Sequence, residues 1–142
     1  MFRVSRHIEF CYGHRLLNYQ GKCRHLHGHN GRVLITLEGA TLDNRGMLLD
    51  FGEMKQIVQQ WIDDELDHRM ILRRDDPAVP ALTELGEPLV LIDANPTAEN
   101  LAKLIFKFAR QRGLPVVKVE LWETPKCSAS YCEHNSGSAQ GT

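Results

Sequence analysis

The amino-acid sequence predicts an α+β protein in which one antiparallel sheet of four strands carries two helices on one face. Three observations support this fold class: an N-terminal pair of segments with alternating apolar residues, two helical patterns after it, and a second alternating pair near the C-terminus. The order is strand, strand, helix, helix, strand, strand, so two hairpins flank two helices. The 142 residues suit one domain, expected to cover residues 1–134 and to be followed by a flexible polar tail over residues 135–142.

Alternation predicts the first two strands. The apolar side of the first strand, which extends from Phe2, consists of Val4, Ile8, Phe10 and Tyr12. The apolar side of the second strand, which ends at Gly39, consists of Val33, Ile35 and Leu37. His14 keeps the parity of the first strand, and His27 and His29 keep the parity of the second.

Capping residues and apolar spacings predict two helices. The first begins after Asp50, whose carboxylate can accept free backbone N–H groups, with Glu53 at the third helical position. Its apolar stripe consists of Phe51, Met54, Val58, Trp61, Ile62 and Leu66. The second begins after Thr97 and ends at Gly113, which Pro115 follows. Its stripe consists of Leu101, Leu104, Ile105 and Phe108.

The segment between the helices has little periodicity. We expect a long connection over Arg73–Asn95, with an extended segment at Leu89–Ile92. After the second helix, a third strand is indicated by Val117, Val119 and Leu121. The last strand is expected over Ser128–Cys132.

Charge and apolar content exclude several function classes. There are 17 basic and 18 acidic residues and the net charge is −1, so no global field attracts nucleic acid or an anionic membrane. No apolar run approaches the roughly 18 residues of a membrane span, and the first residues lack the apolar centre of a signal peptide. We therefore expect a cytoplasmic protein with reduced thiols. Its four cysteines are Cys11, Cys23, Cys127 and Cys132.

Three histidines form the strongest candidate metal site. His27 and His29 are two positions apart, so on an extended chain both side chains point the same way. If the first two strands pair as a hairpin, His14 approaches them. Three neutral imidazoles favour Zn²⁺ and leave one coordination position open for water or substrate, as catalytic zinc requires. The alternative is that these are surface histidines in a loop.

Cys23 is a candidate proton-transferring thiol. It precedes His27 by four positions and lies between Lys22 and Arg24, whose positive charges favour the thiolate. A thiolate beside a metal can move protons. Two alternatives remain open: a small buried loop thiol, or a fourth zinc ligand, which would make the site structural and inert.

Two carboxylates complete the candidate site. Asp67 precedes His68 and could orient its imidazole as a proton relay, although such a dipeptide at a helix end is also typical of a cap. Glu123 shares the parity of the apolar residues of the third strand, where a carboxylate is unusual unless it binds something. Its alternative is an edge-strand carboxylate paired with a basic neighbour such as Lys126.

These segments resemble the 6-pyruvoyl-tetrahydropterin synthase superfamily. Cys23-Arg24-His25-Leu26-His27-Gly28-His29 is similar to its Cys-x-x-x-His-Gly-His motif, and the three-residue spacer resembles the 6-carboxytetrahydropterin synthase branch. Three further segments resemble other motifs of the family and follow in the same order. They are Leu66-Asp67-His68, Asn95-Pro96-Thr97-Ala98-Glu99-Asn100-Leu101 and Trp122-Glu123-Thr124. The resemblance covers roughly residues 2–132.

The resemblance implies the tunnelling fold (T-fold), in which β-β-α-α-β-β units assemble as trimers with a shared barrel, commonly stacked into hexamers. It also implies a role for each matching residue. These roles are Zn²⁺ binding by His14, His27 and His29, proton transfer by Cys23, a second proton carrier formed by Asp67 and His68, and pterin anchoring by Glu123.

The implied substrate is 7,8-dihydroneopterin triphosphate. In the favoured branch the products are 6-carboxy-5,6,7,8-tetrahydropterin, acetaldehyde and triphosphate. This reaction serves 7-deazaguanine and queuosine biosynthesis. One alternative is 6-pyruvoyl-tetrahydropterin synthase, which eliminates triphosphate without carbon–carbon cleavage. Another is a non-catalytic pterin-binding module with a structural zinc.

The triphosphate and the side-chain pocket raise two further points. The triphosphate needs cations, and those near the motif are Arg15, Lys22, Arg24 and His25. The sequence departs from the family at Tyr12-Gly13, where relatives usually have small residues, so a larger ring beside the metal could reshape the side-chain pocket.

Overall fold

The computed structural model describes residues 1–134, and the polar tail expected over 135–142 lies outside the described residues. The strands are β1 (Phe2–His14), β2 (His27–Gly39), β3 (Arg69–Arg73), β4 (Leu89–Ile92), β5 (Val116–Thr124) and β6 (Cys127–Cys132). The helices are α1 (residues 51–65), α2 (Ala78–Glu84) and α3 (Ala98–Gln111), and a short 3₁₀ turn spans Lys22–Arg24. Within residues 1–134, no helix has the length and apolar character of a membrane span.

The six strands form one mixed sheet in the order β4-β3-β1-β2-β5-β6. The pairs β1/β2, β2/β5 and β5/β6 are antiparallel, whereas β1/β3 and β3/β4 are parallel. The α+β class is confirmed, but the expected four-stranded antiparallel sheet is wrong in strand number and direction. The predicted strands make up its antiparallel part, and β3 and β4 extend that part beside β1.

The expected long connection over Arg73–Asn95 contains two elements. Helix α2 lies between the parallel strands β3 and β4 and supplies the crossover that parallel strands require. The extended segment predicted at Leu89–Ile92 is β4. The second predicted helix in the chain is therefore the third observed one, α3.

One apolar core lies between the sheet and helices α1 and α3. Its strand residues include Ile8, Phe10, Tyr12, Val33, Ile35, Leu37, Val119 and Leu121. Its helix residues include Met54, Val58, Ile62, Leu101, Ala102, Ile105 and Phe106. Because the buried residues of β1 and β2 alternate along each strand, both helices pack on the same face of the sheet.

Helix α1 contains a wide segment. It is α-helical at Phe51–Met54, π-helical at Lys55–Gln59 and α-helical at Gln60–Glu65. The predicted cap is confirmed, since Asp50 Oδ1 accepts from the Gly52 N–H at 2.6 Å. The buried residues Met54, Val58, Ile62 and Leu66 recur every four positions. In an α-helix that spacing drifts by about 40° per step, so the wider π-helical turn keeps these residues on one face.

The β1/β2 pairing determines where the candidate metal residues lie. Tyr12 is opposite His29, and His14 is opposite His27, at the end of β1 and the start of β2. Helix α3 begins at the same place, because the Pro96 carbonyl that precedes it contacts the His14 ring. The polar cluster therefore closes one end of the apolar core.

Candidate metal centre and adjoining cavity

The three predicted histidines converge. One ring nitrogen from each of His14, His27 and His29 lies within 4.8 Å of the others. The ring centroids are 4.5 Å apart for His14 and His27, and 5.1 Å apart for the other two pairs. This spacing allows the three nitrogens to bind one cation at about 2.0–2.1 Å each.

Backbone carbonyls orient two of the rings. His14 Nδ1 lies 2.7 Å from the Pro96 carbonyl oxygen, and His27 Nδ1 lies 2.7 Å from the His25 carbonyl oxygen. A carbonyl only accepts hydrogen bonds, so Nδ1 carries the proton and Nε2 presents its lone pair. Metal-binding histidines in proteins have this arrangement.

The Nε2 atoms point into the protein without a hydrogen-bond partner. Those of His14, His27 and His29 are buried and unpaired among the described residues. Burial lowers the pKa of His14, although the Pro96 hydrogen bond and the Glu123 carboxylate oppose this effect. Three buried nitrogens without hydrogen-bond partners are unfavourable in a protein interior. As a set of metal ligands, the three imidazoles fit a bound cation such as Zn²⁺.

Glu123, in β5, lies beside the imidazole cluster. Its Oε1 is 3.9 Å from His14 Nε2, and its Oε2 is 3.8 Å from His29 Nε2. The Tyr12 hydroxyl donates a hydrogen bond to Oε1 at 3.4 Å. Burial and then the nearby Glu123 charge raise the pKa of the Tyr12 phenol, so it remains a donor. Among the described residues Glu123 forms no ion pair with Lys126, and β5 lies between β2 and β6 and not at the edge of the sheet.

Cys23 and Glu123 share a cavity of about 210 Å³ next to the cluster. The cavity is lined by His14, Leu16, Cys23, Thr97, Ala98, Glu99, Glu123, Cys127, Ser128 and Ala129. Over residues 1–134 the converging ligand atoms belong to the three histidines and not to Cys23. The geometry therefore favours a thiol beside the metal site over a fourth ligand.

Two ionisable residues that line the cavity, Glu99 and Cys127, had no assigned role in the sequence analysis. Glu99 lies in the first turn of α3, within the motif that begins at Asn95, and Cys127 is the first residue of β6. The motif was the available signal for Glu99. Cys127 gave no such signal, because only the fold of β6 against β5 brings it to the cavity.

Asp67 and His68 form a hydrogen-bonded pair beside β1. Asp67 Oδ1 accepts from the Cys11 backbone N–H at 2.8 Å, and Oδ2 lies 2.7 Å from His68 Nδ1. Burial opposes ionisation of Asp67, but these hydrogen bonds outweigh it and lower the pKa of the carboxyl. The carboxylate thus joins β1 to His68 and does not act as a helix cap.

The His68 imidazole does not reach the cavity that contains Cys23. Its side chain is 76% exposed, and its backbone has a φ of 58°. It lines a second cleft, of about 510 Å³, which is also lined by His27 and His29 but lacks both Cys23 and Glu123. Within one chain, the imidazole cluster therefore lies between two openings, one with His68 and the other with Cys23 and Glu123.

The basic residues near the motif also differ. Arg15 forms a two-fold hydrogen bond with the buried Asp76 carboxylate, so its guanidinium is already engaged. Lys22, Arg24 and His25 are exposed, and Arg24 Nε donates to His25 Nε2 at 3.2 Å. The cations available to an anion are thus those of the turn that carries Cys23.

Known proteins are similar to this chain in sequence and in fold. The family model described as 6-pyruvoyl tetrahydropterin synthase matches residues 3–134. A 6-carboxy-5,6,7,8-tetrahydropterin synthase of Rickettsia bellii is 35% identical over 89% of this chain and 97% of its own length. One from Haemophilus influenzae is 30% identical over 94% and 99%, respectively.

Solved structures agree with this relationship. An uncharacterized protein from Wolinella succinogenes has a TM-score of 0.80 at 30% identity, with 94% of this chain and 98% of that chain covered. A 6-pyruvoyl tetrahydropterin synthase from Caenorhabditis elegans has a TM-score of 0.70 at 24% identity, with 94% and 96% covered, and shares the fold. The chain belongs to the 6-pyruvoyl tetrahydropterin synthase family.

Proposed function

We propose that the protein is a zinc-dependent carbon–oxygen lyase that converts 7,8-dihydroneopterin triphosphate to 6-carboxy-5,6,7,8-tetrahydropterin, acetaldehyde and triphosphate. This reaction would supply 7-deazaguanine and queuosine biosynthesis. The observation that carries the proposal is the set of three buried, unpaired Nε2 atoms beside a cavity with a thiol and a carboxylate. The names of the curated relatives support the 6-carboxytetrahydropterin branch.

His14, His27 and His29 would hold the Zn²⁺ ion. When bound, the ion supplies Lewis-acid chemistry that makes a side-chain hydroxyl of the substrate more acidic. Glu123 anchors the pterin, because its two oxygens can accept the parallel hydrogen bonds of the 2-amino group and the ring N–H. The short distances from Glu123 to the imidazoles support one small site for the pterin ring and its side chain.

Cys23 transfers a proton to or from the substrate side chain within the cavity. Its neighbours Lys22 and Arg24 are exposed cations, which suit the triphosphate. His68 is the second proton carrier, and Asp67 orients its ring by accepting from Nδ1.

The separation of His68 from Cys23 supports a shared site. We propose a homo-oligomer, a trimer or hexamer, in which the Asp67–His68 pair of one copy faces the Cys23 cavity of another. Refolding a 1:1 mixture of Cys23→Ala and Asp67→Asn chains should then restore about one quarter of wild-type activity, because that share of sites combines two intact residues. A mixture no more active than its components would contradict the shared site.

The decisive experiment is incubation of the purified protein with 7,8-dihydroneopterin triphosphate. We expect a pterin product with the mass of 6-carboxytetrahydropterin and one acetaldehyde, trapped as a hydrazone, per turnover. A 6-pyruvoyl product without acetaldehyde would select the other branch. Zinc and pterin binding without turnover would select the non-catalytic module.

A further inference from the structure

Tyr12 is a buried residue of β1 whose ring adjoins the imidazole cluster. It is 3% exposed, and its ring centroid lies 5.2 Å from that of His14 and 5.7 Å from that of His29. On its other side it stacks on Phe10 at a centroid distance of 5.0 Å and an interplanar angle of 25°. The ring is therefore packed between apolar core and metal-site residues.

Gly31 makes room for this ring. A Cβ atom at position 31 would lie 2.8 Å from Tyr12 Cε1, closer than carbon atoms approach without contact strain. Gly31 belongs to β2, two positions after His29. The ring thus occupies space that a side chain on the neighbouring strand would otherwise fill, and its hydroxyl is held in one place.

That hydroxyl is the hydrogen-bond donor to Glu123. It donates to Oε1 at 3.4 Å, and over residues 1–134 no other donor to this carboxylate is present. The contacts of Glu123 with His14 and His29 are longer, at 3.9 and 3.8 Å. The terminal torsion of a glutamate is broad, so this hydrogen bond restricts the orientation of the carboxylate plane.

We infer that Tyr12 is a positioning residue that fixes the Glu123 carboxylate in the orientation that receives the paired N–H donors of a pterin. The inference rests on the proposed function, in which Glu123 anchors the pterin. Two parallel hydrogen bonds form only when the carboxylate plane matches the pterin edge. A carboxylate fixed beforehand loses less rotational freedom on binding.

Tyr12→Phe tests this inference because it keeps the ring and removes only the hydroxyl. We expect the KM for 7,8-dihydroneopterin triphosphate to rise about tenfold with kcat unchanged within about twofold, as for loss of a hydrogen bond to a charged group that acts in binding. The Kd of unsubstituted pterin, measured by its fluorescence, should rise by a similar factor. Zinc content should equal that of the wild type.

The matched control is Tyr131→Phe. Its hydroxyl also donates to a glutamate, Glu133, but outside the cavity. We expect KM, kcat and pterin Kd to stay at wild-type values. In a Glu123→Ala background, which has no side-chain acceptor, Tyr12→Phe should change the pterin Kd less than about twofold, since the two groups act as one unit.

Three results would overturn the inference: an unchanged KM and Kd in Tyr12→Phe, an undiminished effect of Tyr12→Phe in the Glu123→Ala background, or loss of zinc from Tyr12→Phe. The last would mean that the hydroxyl supports the imidazoles. If the wild type lacks turnover, the proposed function fails. If the wild type turns over and Tyr12→Phe matches it, only the role of Tyr12 fails.

Discussion

The imidazole cluster and the Asp67–His68 pair lie near the same end of β1, but they are built differently. In the cluster, His14 and His27 direct Nδ1 to backbone carbonyls and keep Nε2 buried. In the pair, His68 directs Nδ1 to a carboxylate and its side chain is 76% exposed. The partner of Nδ1 is the main difference between them.

This difference indicates what each region can do. A carbonyl partner holds the neutral imidazole with one lone pair free, which is the form that binds a metal. A carboxylate partner can stay hydrogen-bonded to Nδ1 whether the imidazole is neutral or protonated, which suits a proton carrier. Removing the partner or the ring should therefore affect metal content in the cluster and proton transfer in the pair.

The largest effect is expected for His27→Ala. Loss of one of three nitrogen ligands should release most of the zinc and reduce turnover to background, because two imidazoles do not complete the site. Zinc content by atomic absorption and product formation measure this. His25→Ala is the control, since its backbone carbonyl still accepts from His27 Nδ1. Full zinc content in His27→Ala would show that the imidazole cluster does not hold the metal.

Cys23→Ser should lower kcat by about 10²- to 10⁴-fold, the usual contribution of a proton-transferring group. Zinc content and pterin Kd should stay at wild-type values, because the thiol lies beside the metal ligands and not among them. Cys132→Ser is the control, since that thiol is exposed and outside the cavity. Zinc loss from Cys23→Ser would instead make the thiol a ligand.

Asp67→Asn should lower kcat by at least about 10²-fold, because His68 loses its anionic partner and the amide nitrogen that faces Nδ1 favours the other ring tautomer. Oδ1 of the asparagine can still accept from the Cys11 N–H, so the fold and the zinc content should be preserved. Asp64→Asn, on the exposed side of α1 next to Gln60, is the control. An unchanged kcat would remove the pair from the mechanism.

The smallest effect is expected for the ion pair between Asp76 and Arg15, the residue that follows His14. Asp76 is buried and bound to Arg15, whose hydrogen bonds lower the pKa of the Asp76 carboxyl despite its burial. A carboxyl whose folded pKa lies below its unfolded value of about 3.9 stabilises the fold above that pH, and this contribution is lost as the pH falls through the folded value. Acid should therefore weaken the fold around Arg15.

Asp76→Asn should lower the free energy of unfolding by about 2–3 kcal/mol at pH 7, since it leaves a largely buried guanidinium without its counter-charge. The difference from the wild type should shrink as the pH falls below the unfolded pKa of about 3.9 and the wild-type carboxyl takes up its proton. Urea titrations at several pH values measure this. Asp75→Asn, in an exposed pair with Arg73, should change little.

The antiparallel strands and the imidazole cluster could be predicted because local sequence encodes them. Alternation shows which residues face the core, and parity places His14, His27 and His29 with them. Strand β3 was missed because it has three apolar residues between two arginines and pairs in parallel with β1, far earlier in the chain. Helix α2 was missed because it buries no residue and so has no apolar stripe.

Side-chain contacts between strands that are distant in the chain could not be predicted from the sequence. Tyr12 and Glu123 share the core-facing parity of their strands, which placed both on the same side of the sheet. They are 111 positions apart, and their hydrogen bond depends on the register of β5 against β2. The same register determines how far Glu123 extends towards the imidazoles.

The π-helical segment Lys55–Gln59 has a consequence for insertions and deletions. Deleting one residue there would still leave a continuous helix, because a regular α-helix uses fewer residues per turn. Met54 and Ile62 would then be separated by seven α-helical steps, or about 700°, which is within about 20° of two full turns. Leu66 would therefore still face the core, and Asp67 would keep its place near the Cys11 N–H. The π-helical turn thus accommodates one additional residue without changing the helical phase at which the chain reaches His68.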